Sequence, residues 1–270
     1  MFDALYPALD WREWRDDWPL ASSSSFVHAA GLRWHVQRQG CGPVMLLLHG
    51  TGASGHTWRH LIPEWARRFT VVSVDLPGHA FTGLADSAVM NLPGMAQAVQ
   101  DLMRTLGMNP SVLVGHSDGG TIALLHAAHH AVSACIVMAP HVMVEEISVR
   151  SIETAREAFE KGPLRQRLAP FHADVDGAFW QWNDVWLSPA FRNYDIRQEI
   201  ASIQAPLLAI QGENDAYGTM AQIDDIAAAV PHAQLLKLPQ CGHSPHKDQP
   251  EAVTLAIDAF LSGSSGQARG

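Results

Sequence analysis

Hydrophobic residues in this chain gather into short unbroken runs separated by glycine-rich or polar stretches. The runs at 44–48 (Val-Met-Leu-Leu-Leu), 70–74, 112–114, 134–138, 207–210 and 234–238 lack the alternation of a half-exposed strand. Such runs suit parallel strands buried on both faces. Ahead of them, residues 26–28 and 32–36 flank the small-residue turn Ala29-Ala30-Gly31 and predict an opening hairpin. Helical stretches are predicted at 57–68, 93–106, 119–130, 221–229 and 250–261. Strand and helix in alternation imply an α/β fold, a mostly parallel sheet with right-handed crossovers and helices on its flanks. The rhythm breaks once. Residues 141–203 hold no convincing strand, only helical and aromatic-rich sequence, and read as a helical lid inserted after the strand that follows the helix at 119–130. The expected organisation is therefore a core in two parts, 1–140 and 204–262, the lid at 141–203, and a small polar tail at 263–270 that is expected to be flexible.

Composition narrows this picture. With 270 residues, 47% hydrophobic and 17% charged, the chain has apolar surface for one large core and no disorder-like charge excess. A formal charge of -9 with 18 scattered basic residues argues against a nucleic-acid footprint. Cys41, Cys135 and Cys241 have no paired or metal-type spacing, which suits free thiols in a reducing compartment, and a cytoplasmic protein is expected. No basic stretch precedes an apolar segment at the N-terminus, and no run approaches the about 20 residues that cross a bilayer, so no integral membrane segment is expected. Trp11, Trp14 and Trp18 recur at helical spacing amid mixed charge, which reads as an arm packed on its own domain rather than a membrane-surface helix. His126, His129 and His130 share a predicted helix without the glutamate of H-E-x-x-H, so a polar face is expected there, with no metal and no cofactor.

The chemistry concentrates at one turn. The strand at 112–114 runs into Gly115-His116-Ser117-Asp118-Gly119-Gly120, and a helix follows at once, which is the context a G-x-S-x-G nucleophile elbow requires. Glycines at 115 and 119 leave room for adjoining backbone, and Ser117 stands at a helix N-terminus that favours developing negative charge. Partners are then expected in the order Ser, Asp or Glu, His. Asp215 follows the strand at 207–210 and His243 follows the strand at 234–238, both at strand C-terminal ends where ligands converge in an open α/β sheet. Glu213 is the competing acid, but it lies close to the strand end, and a shorter excursion reaches the histidine less readily. Ala139-Pro140-His141, after the strand at 134–138, offers no carboxylate. Backbone N–H groups of Asp118 and of Thr51, in Leu48-His49-Gly50-Thr51-Gly52, are the expected oxyanion donors, with His49 in a structural hydrogen-bonding role. The carboxylate of Asp118 would oppose an oxyanion beside it, so that side chain is expected to turn away and cap or pair. His246 reads as a supporting or surface group, and Asp224 and Asp225 as solvated helix residues.

The motifs His49-Gly50-Thr51-Gly52, Asp75-Leu76-Pro77-Gly78-His79, Gly115-His116-Ser117, Gly212-Glu213-Asn214-Asp215 and Gly242-His243 resemble the α/β-hydrolase superfamily from about residue 25 to 261. More narrowly, residues 31–37, 48–58 and 74–83 resemble the hydrolase encoded with bacteriochlorophyll biosynthesis, known as a magnesium-chelatase accessory protein, up to about residue 106. Beyond that point the chain is more similar to generic bacterial α/β hydrolases, and Asp118 stands where the accessory family carries a small residue. The resemblance implies an α/β-hydrolase fold and serine-hydrolase chemistry.

Lid aromatics suggest the substrate. Met143, Phe179, Trp182 and Trp186, with Phe171 and Trp180 nearby, predict an apolar wall, and the expected partner is a small to medium apolar ester bound by a monomer or homodimer. Two other readings stay open: a tetrapyrrole-binding accessory protein with a vestigial triad, and a C–C hydrolase or lyase on the same fold.

Overall fold

The computed structural model describes residues 10–83 and 91–267. Its hairpin comprises β1 (Ser24–Ala29) and β2 (Leu32–Gln39). Ala30 at φ 51° and Gly31 at φ 74° both occupy the left-handed region, the geometry a two-residue turn needs to match strand twist. Six further strands follow: β3 (Val44–Leu48), β4 (Thr70–Val74), β5 (Pro110–His116), β6 (Ala134–Met138), β7 (Leu207–Gly212) and β8 (Gln234–Leu238). They form one sheet in the order β1-β2-β4-β3-β5-β6-β7-β8. The β1/β2 and β2/β4 pairs are antiparallel and every later pairing is parallel.

Burial on both faces explains why the strand runs do not alternate. Leu46, Leu48, Val72, Val74 and Leu113 pack on one side, while Met45, Leu47, Val71, Val112 and Val114 pack on the other. The first side is covered by α3 (Leu92–Thr105) through Val99, Leu102 and Met103, and by α4 (Asp118–His129) through Ile122 and Leu124. The second is covered by Trp58, Trp65 and the face Val253, Ile257 and Phe260 of the C-terminal helix. Each such side chain removed from water contributes about 2 kcal/mol, so a polar group placed at Leu46 or Leu47 would undo the sheet.

The other helices are α1 (Trp11–Trp14), α2 (Ile62–Trp65), α5 (Glu146–Lys161), α6 (Leu164–Leu168), α7 (Val175–Trp186), α8 (Arg197–Ile200), α9 (Ala221–Ala229), α10 (Pro245–Asp248) and α11 (Pro250–Gln267). Two differ from expectation. The helix predicted over 57–68 is a 3-10 turn at Gly55–Trp58 followed by α2, because Pro63 lacks an N–H and starts a helix rather than continuing one. The helix predicted at 250–261 runs on, as α11, through the small polar residues to Gln267. Propagating a helix already anchored by Val253 and Ile257 costs little compared with starting one, even through serine and glycine. Positions 268–270 of the polar tail lie outside the described residues.

Between β6 and β7 the chain forms α5 to α8, and its sole strand-like feature among the described residues is an isolated bridge from Met143 to Asp195. The N-terminal arm packs inward: Trp18 is buried with Ala80 and Phe81, and the Trp11 ring meets Phe26 and Phe81 edge-on. Among the described residues, no helix is long and apolar enough to cross a membrane.

Candidate active site

β5 ends at His116 and α4 begins at Asp118, leaving Ser117 to make the whole turn at φ 53°, ψ -125°. A non-glycine residue in this conformation stores roughly 1–3 kcal/mol and persists only where its surroundings enforce it. Here they do. The Ser117 N–H donates to the Met138 carbonyl at 2.9 Å. A Cβ at Gly115 would stand 2.3 Å from the Gly119 carbonyl oxygen, and one at Gly119 would stand 2.3 Å from that of Leu48. The elbow thus closes on itself and on the end of β3, and only glycines permit it.

Loops after β7 and β8 bring two more groups to the same place. They touch at Gly212, where a Cβ would meet the Cys241 carbonyl oxygen at 2.3 Å. His243 Nε2 lies 3.0 Å from Ser117 Oγ, and His243 Nδ1 lies 2.8 and 2.9 Å from the two oxygens of Asp215. With Nδ1 donating to the carboxylate, Nε2 is left to accept the serine proton. Asp215 is itself fixed, accepting from Gln211 Nε2 at 2.8 Å and from the Tyr217 N–H at 2.7 Å. Glu213, the competing acid, is exposed, and its N–H donates to the Leu238 carbonyl at 2.9 Å.

Behind His243 lies a buried support. His116 Nε2 donates to the His243 carbonyl at 2.7 Å, and the His246 ring packs on His116 at 4.6 Å. Thr57 Oγ1 in turn meets His246 Nε2 at 2.9 Å. Burial pushes His246 down to about 3 and holds it neutral, so the supporting group expected at this position is interior rather than surface.

Ser117, Asp118, Thr51 and His243 open onto a cavity of about 190 Å³. Its wall is apolar. α7 presents Ala178, Phe179, Trp182 and Trp186 at the spacing of one helical face, capped at its start by Asp174 accepting from the Gly177 N–H. Ile152 and Ala155 of α5 and Leu164 and Leu168 of α6 add to it. Phe179 stacks on Phe159 with centroids 3.8 Å apart, which fixes the helix face. Asp118 is the only formally charged carboxylate on this wall and no lysine or arginine joins it among the described residues. Burial raises its pKa, partly opposed by hydrogen bonds from Thr51 and Trp186. The side chain does pair, as expected: the Thr51 hydroxyl donates to Asp118 Oδ2 at 2.6 Å.

Met143 is the misplaced substrate-wall residue. It is absent from the cavity lining and packs, half-buried, against the core. The backbone of 143 is drawn aside by the Asp195 bridge and by Gln222, which accepts from its N–H and donates to its carbonyl. Three polar lining residues escaped the sequence reading: His141, His172 and Tyr217. Position was the available signal for two of them, since His141 directly follows Pro140 beyond β6 and Tyr217 is two residues past Asp215. His172, in the middle of the helical segment, carries no local signal. Its Nδ1 accepts from the Ala80 N–H and its Nε2 donates to the Gly52 carbonyl, and burial holds it down at about 4. Burial likewise pushes His141 down to about 3. Arg150, Arg156 and Arg165 pair with Glu146, Glu160 and Asp176 outside the cavity. At the surface, Asp224 of α9 pairs with Lys237 of β8, and His129 of α4 with Glu199 of α8.

A second serine-histidine-aspartate set occurs elsewhere, with Ser24 Oγ 3.0 Å from His35 Nε2 and His35 Nδ1 2.6 Å from Asp75. None of its members lines the cavity.

Comparison with known proteins agrees with this architecture. Residues 45–256 match the model of the alpha/beta hydrolase family. The chain is 26% identical to carboxylesterase YbfK of Bacillus subtilis over 271 residues, covering 91% of this chain and 90% of that protein. It is 39% identical to the magnesium-chelatase 30 kDa subunit of Rhodobacter capsulatus over 110 residues, which is 40% of this chain and 39% of that subunit. It is also similar to the pimeloyl-[acyl-carrier protein] methyl ester esterase of Aeromonas hydrophila, 26% identical across 84% of this chain and 98% of that protein. Among solved structures, the enol-lactonase of Burkholderia xenovorans LB400 superposes with a TM-score of 0.73 at 21% identity, covering 88% of this chain and all of the other.

Proposed function

The chain belongs to the alpha/beta hydrolase family, and from that premise we propose that it is a serine hydrolase cleaving a carboxylic ester of a small to medium apolar substrate. The observation that supports this reading is the unbroken contact from the strained Ser117 hydroxyl through His243 to Asp215, opening onto an apolar cavity. Ser117 Oγ attacks the ester carbonyl carbon while His243 Nε2 takes its proton, and Asp215 holds the imidazolium that forms. The carbonyl oxygen becomes an oxyanion between the N–H groups of Asp118 and Thr51. Collapse expels the alcohol, protonated by His243, and leaves an acyl group on Ser117. Water, activated by the same histidine, then releases the acid.

The cavity favours a small ester over a tetrapyrrole, because about 190 Å³ falls below the ~300–1,000 Å³ of pockets that hold drug-sized ligands. The helical segment at 141–203 then acts as a lid, with Phe179, Trp182 and Trp186 receiving the apolar part of the substrate. The test is turnover of a nitrophenyl butyrate. Ser117→Ala is expected to lower kcat by at least about 1,000-fold, and equal rates would overturn the proposal.

A further inference from the structure

The reading of Thr51 and Asp118 as oxyanion donors raises the question of what holds the Thr51 N–H in place, since it lies on a glycine-flanked loop with Gly52 at φ 70°. That loop reaches the nucleophile: a Cβ at Gly50 would be 2.8 Å from the Cβ of Ser117. His172 holds its far end through the Gly52 carbonyl, and two other side chains outside the triad act on residues 50 and 51 themselves.

The first is His49. The Leu76 N–H donates to its Nε2 at 2.9 Å, so the ring proton resides on Nδ1, which donates to the Gly50 carbonyl at 2.7 Å. The Gly50 carbonyl and the Thr51 N–H belong to one planar trans peptide unit and point in opposite directions. Fixing the carbonyl therefore fixes the N–H. His49 is fully buried, and burial lowers its pKa and keeps this neutral tautomer. The second is Asp118, whose Oδ2 accepts from the Thr51 hydroxyl at 2.6 Å.

We propose that Asp118 and His49 are positioning residues for the oxyanion site: His49 sets the direction of the Thr51 N–H, and the Asp118 side chain sets its distance from the Asp118 N–H. One residue thereby supplies one donor and anchors the other. This accounts for a carboxylate at a place where its charge opposes the oxyanion, because the Thr51 and Trp186 hydrogen bonds engage it and disperse that charge. The proposal rests on the serine-hydrolase reading above.

The experiment measures nitrophenyl butyrate kinetics and the rate of Ser117 phosphonylation by a fluorophosphonate in the full chain. Asp118→Ala is expected to lower kcat about 10–100-fold with KM within about twofold, less than the loss of an oxyanion donor itself. Asp118→Asn, whose amide oxygen still accepts from Thr51, is expected to stay within about fivefold of the unsubstituted chain. Thr51→Val should match Asp118→Ala, and the double variant should lose no more than either alone. His49→Asn, which keeps an N–H near the Nδ1 position, should retain more kcat than His49→Leu. If Asp118→Ala does not fold, as thermal melting will show, Thr51→Val and Asp118→Asn decide the matter. Unchanged kcat in Thr51→Val, a loss confined to KM, or losses that multiply in the double variant would each overturn the proposal. Ser117 that reacts with the fluorophosphonate while no ester turns over sinks the ester reading alone, and the phosphonylation rates across the variants then decide this one. Ser117 that fails to react overturns both.

Discussion

Ser117–His243–Asp215 and Ser24–His35–Asp75 have nearly the same internal distances: hydroxyl to Nε2 is 3.0 Å in both, and Nδ1 to carboxylate is 2.8 and 2.6 Å. Their surroundings differ in every respect that chemistry needs. Ser24 has relaxed extended backbone, φ -79° and ψ 141°, and its hydroxyl also accepts from Gln37 Nε2 at 3.1 Å. His35 is buried against Trp11, Phe26 and Phe81. Asp75 accepts in addition from the Gly55 N–H at 2.7 Å, so this array ties the hairpin and β4 to the loop after β3. Ser117 instead stands in a strained turn at a cavity, and His243 remains one-fifth exposed there. Proximity of the three groups makes a cross-link. A nucleophile, an oxyanion site and room for substrate make the cross-link a candidate catalyst.

Exchanging each aspartate for asparagine separates the two sets most widely. Asp215→Asn is expected to drop kcat for the nitrophenyl ester by about 10,000-fold through loss of the right tautomer, with little change in melting temperature. Asp75→Asn is expected to do the reverse, lowering unfolding free energy in urea by about 3 kcal/mol while the folded fraction keeps its kcat. A kinetic collapse in Asp75→Asn would dissolve the distinction.

Acid separates the regions next. Burial raises the Asp75 carboxyl, but the charge and hydrogen bond of His35, together with the Gly55 N–H, outweigh burial and hold it below the ordinary carboxylate range. Its stabilisation is therefore present above about pH 4 and lost as pH falls through the lowered value. The cavity histidines act earlier. His172 at about 4 and His141 at about 3 are neutral when folded, whereas the unfolded chain takes up protons from about pH 6.5 downward. Stability should then decline between pH 7 and 5, and His172→Gln should remove about 1–2 kcal/mol of that decline in urea titrations at the two pH values. An identical decline in the variant would show that His172 does not report this window.

The smallest effects are expected where a reactive residue type is merely present. Ser24→Ala and Glu213→Gln should each leave kcat/KM within about twofold. A tenfold loss in either would place a catalytic contribution outside the Ser117 cavity.

Much of the fold was legible because local pattern and final burial coincide. The bounds of β3, β4 and β6 follow the apolar runs, since these strands are buried on both faces, and β8 at the sheet edge keeps its predicted bounds although Gln234 and Lys237 are exposed. The elbow was legible for a steric reason: Gly115 and Gly119 face backbone at 2.3 Å, and no other residue type could stand there. Asp215 and His243 followed from strand order alone. By contrast, Met143 lies two residues beyond the cavity-lining His141, and only the pull of Gln222 and Asp195 turns it into the core. Likewise His172 reaches Gly52 across 120 residues, and His35 reaches Asp75 across 40. The sequence by itself determined the parallel sheet, the strained serine and its chain-ordered partners, because these depend on periodicity and on the absence of side chains. Tertiary structure decided which of two serine-histidine-aspartate sets faces a cavity and which buried hydrogen bonds hold Thr51, because burial and long-range pairing depend on what the rest of the chain packs around them.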